Sequence, residues 1–305
     1  MEIFKITILG CGSATPSLRH FTSSQVVDIR NKLFMVDCGE GTQIQLRRSR
    51  LPFNKINRIL ISHLHGDHCF GLIGMISSFA LLGRTHPLYI HAPEQLWSIF
   101  KPQLDFFCKD PGFEIEFLGF KPEKTAIIFD DRSVSITTIP LLHRVPCAGF
   151  LFTEKPSSDH LNRAATDFHG VPVWDFERIK KGGDFINTEG KTIPHSVLTR
   201  PSAPPRKYAY CCDTAFNPDM VNIIENANLI YHDSTYIELD SIKAKAYSHS
   251  TSADAARIAV MANAKRLLLG HFSARYENEN VFLTEAVSIF PNTLLAKENL
   301  VVPVE

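Results

Sequence analysis

The 305-residue sequence has no apolar stretch close to the roughly 20 residues that a membrane-spanning helix requires. Its longest apolar stretch, residues 70–83, is interrupted by serines and glycines, so we expect no membrane association. The first ten residues are typical of a β-strand rather than of a basic, cleavable secretion signal, which favours a cytoplasmic location. Low-complexity tracts and solenoid repeats are also missing. With 44% hydrophobic and 21% charged residues, the composition is that of a soluble globular protein.

The sequence also has no excess of either charge and no paired cysteine spacing. Lys plus Arg and Asp plus Glu number 32 each, so the formal net charge of zero does not indicate a protein that coats nucleic acid by bulk charge. A local basic patch would still suffice for a small, structured polyanion. The seven cysteines are an odd number and include the adjacent Cys211 and Cys212, which favours reduced thiols over a disulfide framework.

One stretch of the sequence joins an apolar strand directly to metal-binding side chains. Residues 58–62 are typical of a short buried strand, and the sequence HLHGDH follows at residues 63–68. Three imidazoles and a carboxylate within six residues are donors that a divalent metal binds. A His-rich surface loop is the alternative interpretation, but the position after an apolar strand favours a metal site. The apolar residues 70–82 are expected to form a helix against this strand.

Four later apolar runs, each expected to be a strand, also end in His or Asp. Side chains at strand ends are held rigidly and can converge on one crevice. A single histidine after a strand would more often be structural, but five such runs, counting the one before residue 63, favour a shared site. The four runs and the residues that follow them are 134–142 with His143, 208–212 with Asp213, 228–231 with His232 and Asp233, and 266–270 with His271.

These patterns supply seven potential metal ligands, which is more than one tetrahedral zinc ion requires. The number therefore predicts two ions that share a bridging carboxylate, a pair that activates water for hydrolysis. Imidazole with carboxylate favours Zn²⁺, two per subunit, with Mn²⁺ and Fe²⁺ left open and no organic cofactor expected. We expect His63, His65 and His143 on one ion, Asp67, His68 and His271 on the other, and Asp213 as the bridge.

Other elements are predicted from periodicity and from turn or capping residues. Asp37, at the end of the second hairpin strand, is expected to orient a metal-bound histidine, although an Asp before Gly is more often only a turn or capping residue. The predicted elements are a first strand at 2–9, a hairpin of strands at 25–29 and 32–36, helices at 42–48 and 252–264, the latter capped by Thr251 or Ser252, a short helix at 282–290, and a strand or tail at 294–304.

Residues 152–207 differ in character from the rest of the chain. They are rich in Pro, Gly and Ser and show little sustained periodicity, and connections longer than about 15 residues are usually functional or disordered. Trp174, Phe176 and Ile179 indicate that the segment folds partly on itself or on a partner. Its basic residues exceed its acidic residues only slightly, so a phosphate contact there would depend on local clusters such as Lys180 and Lys181.

Several motifs together resemble those of the ribonuclease Z family, the transfer-RNA 3′-processing endoribonucleases of the metallo-β-lactamase superfamily. They are DCGEGTQ at 37–43, SHLHGDH at 62–68, CDT at 212–214, HDST at 232–235, HST at 249–251 and HFSARY at 271–276. The resemblance implies an α/β protein with the metallo-β-lactamase fold, an αββα four-layer sandwich. It also implies a single domain over residues 1–305, into which a flexible arm is inserted at residues 152–207.

The resemblance further implies zinc-dependent hydrolysis of the phosphodiester 3′ of the discriminator in precursor tRNA, leaving a tRNA 3′-hydroxyl and a 5′-phosphorylated trailer. Asp67 would orient the attacking water, and His249 would protonate the leaving 3′-oxygen. Asp233, where the family carries Glu, would hold His249.

The arm is expected to grip transfer RNA and to serve the active site of a neighbouring subunit, which implies a homodimer. Its candidate contacts are Gly170 and Pro172, which match a Gly-x-Pro element of the family, and Lys180 and Lys181. The loop after the first strand, PSLRH at 16–20, lacks the Lys and Asn that the family often has there. Arg19 in this loop and Arg275 in HFSARY are two further candidate contacts.

Two other functions compete with this interpretation. A small-molecule hydrolase of the same fold, such as a thioesterase, a lactonase or a general phosphodiesterase, would share the metal ligands but has no need of an extended arm. A non-catalytic nucleic-acid-binding module with a structural zinc would close its metal site with four ligands, whereas seven are available here together with His249.

Overall fold

The structure is a computed structural model that describes residues 3–305. In chain order its first nine strands are β1 Phe4–Gly10, β2 Ser24–Ile29, β3 Lys32–Val36, β4 Ile56–Leu60, β5 Leu88–Pro93, β6 Ile115–Phe120, β7 Ile127–Asp130, β8 Val134–Leu141 and β9 Cys147–Glu154. The others are β10 His160–Leu161, β11 Phe185–Ile186, β12 Thr192–Ile193, β13 Thr199–Arg200, β14 Lys207–Cys211, β15 Leu229–Asp233, β16 Leu267–Gly270, β17 Thr293–Leu295 and β18 Val301–Pro303.

Helices connect many of these strands. The α-helices are α1 Thr42–Arg48, α2 Gly66–Cys69, α3 Leu72–Leu81, α4 Gln95–Phe107, α5 Arg163–Phe168, α6 Phe176–Lys180, α7 His195–Leu198, α8 Val221–Ile224, α9 Ser241–Tyr247, α10 Ser252–Met261 and α11 Asn280–Val287. Short 3₁₀ helices lie at Phe53–Lys55, Val173–Asp175, Pro218–Met220 and Glu238–Asp240. Among the helices of residues 3–305, none has the length and apolar character needed to cross a bilayer.

Most of the strands form two seven-stranded sheets. The first has the order β18-β1-β2-β3-β4-β5-β6, antiparallel from β18 to β3 and parallel from β3 to β6. The second has the order β17-β16-β15-β14-β9-β8-β7, with parallel pairing from β17 to β14. Since the parallel strands of a sheet point the same way, their carboxyl ends lie along one edge.

Apolar side chains between and outside the sheets create four layers. Phe34 of the first sheet packs edge-on against Phe152 of the second, with ring centroids 5.8 Å apart, inside one large buried cluster. A second cluster joins the outer face of the first sheet to α3 and α4, and α10 and α11 pack on the second sheet. The predicted α/β class and metallo-β-lactamase type of sandwich are therefore confirmed.

Residues 154–205 form a compact unit of their own, and residues 3–153 together with residues 206–305 form the other unit. Within residues 154–205, β10 pairs with β13 and β11 pairs with β12, both antiparallel. A small core consists of the buried side chains Val171, Ile179, Phe185, Ile193 and Leu198. This segment, which we call the arm, thus has its own secondary structure and core.

Several predicted elements are confirmed, with shifted ends. The hairpin is β2 and β3, joined by Arg30 and Asn31, whose φ angles of 51° and 66° suit a tight turn. The helix predicted at 42–48 is α1. The helix α10 has Thr251 as its N-cap but ends at Met261 rather than at 264, because Asn263 turns to a left-handed φ of 48°. The first strand begins at Phe4, and its predicted start at Glu2 lies outside the described residues.

Candidate metal centre

The predicted metal ligands lie at the carboxyl ends of strands from both sheets. In the first sheet the parallel strands β3 and β4 lead to this edge, and in the second sheet the parallel strands β14, β15 and β16 do so. Rigid strands therefore deliver side chains from distant parts of the sequence to one place. Asp37 follows β3, the 63–68 motif follows β4, Asp213 follows β14, Asp233 ends β15 and His271 follows β16.

One set of four donors consists of His63, His65, His143 and Asp213, with one donor atom from each within 4.8 Å of the others. His65 Nδ1 lies 3.1 Å from His63 Nε2 and 3.2 Å from His143 Nε2. A tetrahedral zinc ion with zinc–nitrogen distances of about 2.0–2.1 Å holds its nitrogen ligands about 3.3 Å apart. The three imidazole nitrogens therefore have the separation that one bound ion requires.

A second set consists of Asp67, His68, His271 and the same Asp213. Asp213 Oδ1 lies 3.3 Å from His68 Nε2 and 3.2 Å from His271 Nε2. Its other oxygen, Oδ2, faces His63 Nε2 at 3.7 Å and His143 Nε2 at 3.8 Å. Because each carboxylate oxygen faces a different donor set, Asp213 has the geometry of a bridging ligand.

A buried hydrogen-bond network around Asp37 fixes the orientation of two histidines. Asp37 Oδ2 accepts hydrogen bonds from His68 Nδ1 at 2.7 Å, from the Ser62 hydroxyl at 2.9 Å and from the Tyr210 hydroxyl at 2.6 Å. Because the Ser62 proton points to Asp37, Ser62 Oγ is free to accept from His63 Nδ1 at 3.0 Å. Both imidazoles thereby donate through Nδ1 and direct Nε2, the atom available to a metal ion, at the donor cluster.

Two other histidines are oriented in the same way. His143 Nδ1 donates to the Ser248 backbone carbonyl at 2.9 Å. The Thr235 hydroxyl donates to Asp233 Oδ1 at 2.7 Å, so that it accepts from His271 Nδ1 at 2.9 Å. With Nδ1 protonated in each case, Nε2 is again the free ligand atom, whereas His65 presents Nδ1.

The electrostatics of the cluster favour bound cations. Burial lowers the pKa of His68, but Asp213, Asp37 and Asp67 outweigh burial and hold that pKa well above its usual value. His68 Nε2 is buried without a hydrogen-bond partner. Burial alone would raise the pKa of Asp213, yet the positive charge of His271 and His68 holds it well below its usual value. A buried ring nitrogen without a hydrogen-bond partner, beside carboxylates that favour positive charge, is a position where a divalent metal can replace the proton, so the donor set fits such an ion.

His249 lies above both donor sets and has a carboxylate partner. Its ring centroid is 5.0 Å from that of His143 and 5.3 Å from that of His271. Its Nδ1 donates to Asp233 Oδ2 at 2.7 Å, which leaves Nε2 for other partners. Burial lowers the pKa of His249, but the Asp233 carboxylate outweighs burial and raises the pKa to about 9. A protonated imidazole held by a buried carboxylate is chemically able to act as a general acid.

Known proteins resemble the whole chain. The ribonuclease Z of Bacteroides thetaiotaomicron is 55% identical over 304 residues, which cover 100% of this chain and 96% of that protein. The chain belongs to the ribonuclease Z family. Among solved structures, the short form of human tRNase Z matches with a TM-score of 0.72 and 25% identity, covering 99% of each chain. The metallo-β-lactamase fold protein YhfI of Bacillus subtilis matches with a TM-score of 0.70 and 20% identity, covering 99% of this chain and 100% of that one.

A second family also shares part of the sequence. A family model described as Anti-Pycsar protein Apyc1 matches residues 4–145, which is less than half of the chain. The matched residues contain strands β1 to β6 of the first sheet and the 63–68 motif but neither the arm nor the HFSARY motif. The full-length similarity is therefore to ribonuclease Z, and the fold is shared more widely.

The ribonuclease Z motifs surround a cavity of about 640 Å³ beside the candidate metal centre. Asp67 and His249 line this cavity together with the predicted contact Arg275. Arg275 lies over the ring of Tyr236, with 5.0 Å between its guanidinium carbon and the ring centroid. Arg144, which the sequence analysis did not single out, also lines the cavity and lies over the Tyr247 ring at 5.6 Å.

The other predicted contacts lie elsewhere. Arg19 is exposed, but its guanidinium donates to the carbonyls of Tyr276 at 2.6 Å and Ala274 at 2.8 Å. In the arm, Gly170 has a left-handed φ of 65° and lies two residues before Pro172. Lys180 pairs with Glu177 at 3.1 Å, and Lys181 is exposed.

Sequence reasoning predicted Asp37 as a residue that orients a histidine, in agreement with its contact with His68, but it missed the other orienting residues. Ser62, Tyr210 and Thr235 are common residue types that carry no metal signal by themselves, and the Ser248 carbonyl is independent of side-chain identity. Ser62 and Thr235 do lie inside motifs that the sequence analysis quoted, so their position next to ligands was the available signal. Tyr210 lies inside a predicted strand and offered none.

Proposed function

We propose that this chain cuts precursor transfer RNA on the 3′ side of the discriminator nucleotide with two zinc ions per subunit. As a ribonuclease Z, the chain is a hydrolase and an endoribonuclease that processes the 3′ end of transfer RNA. The alternative of a thioesterase, lactonase or other small-molecule hydrolase is not favoured, because the curated relatives match over the full length of the chain. A transfer-RNA substrate also supports the expected cytoplasmic location.

The observation that carries the proposal is the division of eight donor atoms into two sets that share Asp213. His63, His65 and His143 would hold one ion, and Asp67, His68 and His271 would hold the other. When bound, the ions would stabilise negative charge on the scissile phosphate and lower the pKa of water so that hydroxide forms near neutral pH. Imidazole and carboxylate ligands support zinc, and manganese or iron would also accept them.

The chain's own residues would then orient the nucleophile. Asp67 lines the cavity, and its Oδ2 is held by the Ala14 backbone N–H at 2.8 Å. A carboxylate fixed in this way accepts a hydrogen bond from water and directs the lone pair of that water toward phosphorus. Arg144 and Arg275 lie on the same cavity, where their guanidinium groups would bind the flanking phosphates.

His249 would protonate the leaving ribose 3′-oxygen. The bond from phosphorus to this oxygen breaks as water adds, so the oxygen develops negative charge that a proton must neutralise. Asp233 keeps the imidazole charged and points Nε2 away from the hydrogen bond at Nδ1. The products would be a 3′-hydroxyl on the transfer RNA and a 5′-phosphate on the trailer.

The arm is proposed to bind the body of the transfer RNA. Its exposed apolar side chains Phe168 and Trp174, which are 83% and 81% accessible, flank Gly170 and Pro172. Aromatic rings in such positions stack on unpaired bases, and Lys181 would contact phosphate. None of these arm residues belongs to the two donor sets of the candidate metal centre.

A homodimer is proposed with α1 and α3 at its interface. Ile44 of α1, Leu81 of α3 and the adjacent Leu82 are exposed and line one surface depression of about 290 Å³. Exposed apolar side chains that lie together are typical of a protein interface. Light scattering of the wild type and of Leu81→Glu tests this proposal, since a dimer interface at Leu81 predicts a monomeric variant.

The experiment that tests the proposed function compares substrates and one variant. We expect the purified protein with Zn²⁺ to cleave precursor transfer RNA and to leave a thioester intact. The Asp67→Ala variant should lose cleavage, because it lacks both a ligand and the orienting carboxylate. Thioester hydrolysis without cleavage of transfer RNA, or undiminished cleavage by Asp67→Ala, would contradict the proposal.

A further inference from the structure

The loop between β1 and β2, residues 11–23, borders the proposed active site. Ser13, Ala14, Thr15 and Pro16 line its cavity. Ala14 has a left-handed φ of 60° and donates its backbone N–H to Asp67 Oδ2 at 2.8 Å. The direction of that N–H depends on the conformation of the loop, so the loop determines how the Asp67 carboxylate is held.

His20 joins this loop to two segments near the carboxyl terminus. Its Nε2 lies 2.5 Å from Glu279 Oε1, and its Nδ1 lies 3.0 Å from Glu298 Oε2. Glu279 immediately precedes α11, and Glu298 follows β17. The three side chains are only 12%, 22% and 13% accessible, so water competes little for these contacts.

With both glutamates ionised, these contacts require a charged ring. An ionised carboxylate only accepts hydrogen bonds, so each ring nitrogen that faces one must donate, and a neutral imidazole has a single N–H. Burial lowers the pKa of His20, but its hydrogen bonds to Cys11 and the two glutamates outweigh burial and raise the pKa to about 12. Glu298 Oε1 also accepts from the Phe21 backbone N–H at 2.9 Å, which binds the loop backbone to the same carboxylate.

Further contacts connect the loop to the HFSARY segment. The Ser13 backbone N–H donates to the Phe272 carbonyl at 3.0 Å, and the Phe272 N–H donates to the Cys11 carbonyl at 2.9 Å. Arg19 caps the carbonyls of Ala274 and Tyr276. The loop is thus fixed to the segment that supplies His271, and His20 is its buried charged contact.

We infer that His20 is a positioning residue, which as an imidazolium between Glu279 and Glu298 fixes the loop whose Ala14 amide orients Asp67. The inference rests on the proposed function, because it assigns His20 a part in delivering the Asp67 carboxylate to the reaction. A competing arrangement exists, since Cys11, His20 and Glu298 have donor atoms close enough to hold a metal ion. The imidazolium accounts for both histidine contacts without a metal ion, and it is the arrangement that we propose.

The test compares His20→Gln, which is neutral, with His20→Arg, which keeps a cation with several donors. A matched control is His86→Gln, because His86 is exposed and outside the proposed site. At saturating Zn²⁺ we expect His20→Gln to lower kcat by about 10- to 100-fold, with KM for a small phosphodiester little changed. His20→Arg should restore most of kcat, and His86→Gln should match the wild type.

The outcomes separate the possible roles. A folded His20→Gln variant with wild-type kcat, or a folded His20→Arg variant as impaired as His20→Gln, would overturn the inference. A third metal ion in the wild type that is lost in Cys11→Ala would also overturn it. If His20→Gln does not fold, Glu298→Gln is measured instead and should show the same fall in kcat. If the wild type hydrolyses the small phosphodiester but not transfer RNA, the proposal of a transfer-RNA substrate is contradicted. The comparison of kcat between the wild type and the His20 variants on the small phosphodiester still tests the inference.

Discussion

The hydrogen bond between His249 Nδ1 and Asp233 Oδ2 is 2.7 Å long, although Asp233 is one methylene shorter than the glutamate typical of the family. The carboxylate is further fixed by the Thr214 N–H at 3.1 Å and the Thr235 N–H at 2.9 Å. Because Asp233 lies in β15 itself, the strand places its carboxylate close enough to compensate for the shorter side chain. The proposed function divides the individual residues into those that would hold ions and those that would move protons.

The variant His249→Ala tests this division. We expect the chemical step to slow by about 100- to 10,000-fold, since the leaving oxygen loses its proton donor. The metal content should equal that of the wild type, because His249 belongs to neither donor set. Single-turnover cleavage and metal analysis measure the two quantities, with His86→Ala as the exposed control. A loss of metal in His249→Ala would make His249 a ligand.

The pH dependence of cleavage tests the pairing of His249 with Asp233. The acid must carry its proton, so activity is expected to fall as the pH rises through the His249 pKa. Asp233 raises that pKa while burial lowers it, so Asp233→Asn should lower the pKa and move the alkaline limb of the profile to lower pH. The profile of kcat between pH 6 and pH 10 measures the shift. An unmoved alkaline limb would show that another group controls it.

At the scale of secondary-structure elements, strands that end in His or Asp made the centre predictable from sequence. A neutral imidazole cluster after an apolar strand has few structural explanations, and five such runs indicated a common focus. The expected cap at Thr251 or Ser252 likewise predicted the start of α10, where Thr251 is the N-cap and exchanges both capping hydrogen bonds with Asp254. In these cases the local sequence was enough to predict the position of the site and the start of the helix.

Other elements depend on contacts that the sequence does not display. The two-residue strands β10, β11, β12 and β13 are too short for periodicity, and they pair within the arm. The contact between the Tyr210 hydroxyl and Asp37 spans 173 positions and exists only once the two sheets face each other. Such long-range contacts orient the ligands without leaving a local pattern.

Replacing residues 160–200 with a short linker tests the arm as an element. The arm is a compact unit with its own small core, and the two large apolar clusters of the sheets contain no residue of 160–200, so its removal leaves those clusters complete. We expect cleavage of precursor transfer RNA to weaken far more than hydrolysis of a small phosphodiester, because only the larger substrate reaches the arm. Ratios of kcat/KM for the two substrates provide the measurement. Equal losses would make the arm merely structural.

At the scale of the whole molecule, the two sheets bring ligands from residues 63 to 271 to one edge. Neither sheet holds a complete donor set, because the first supplies the 63–68 motif and the second supplies Asp213 and His271. Metal binding is therefore expected to stabilise the packing of the sheets, since ions bind the folded chain and not the separated strands.

The number of divalent ions bound per chain, measured together with cleavage of precursor transfer RNA, tests the central claim most directly. Metal analysis of the wild type loaded with Zn²⁺ should give two ions per chain, and activity should rise with occupancy. Asp213→Ala should lose both the second ion and cleavage, whereas Asp219→Ala, at an exposed carboxylate, should keep both. One ion per chain in a fully active wild type, or an active Asp213→Ala variant, would contradict the account.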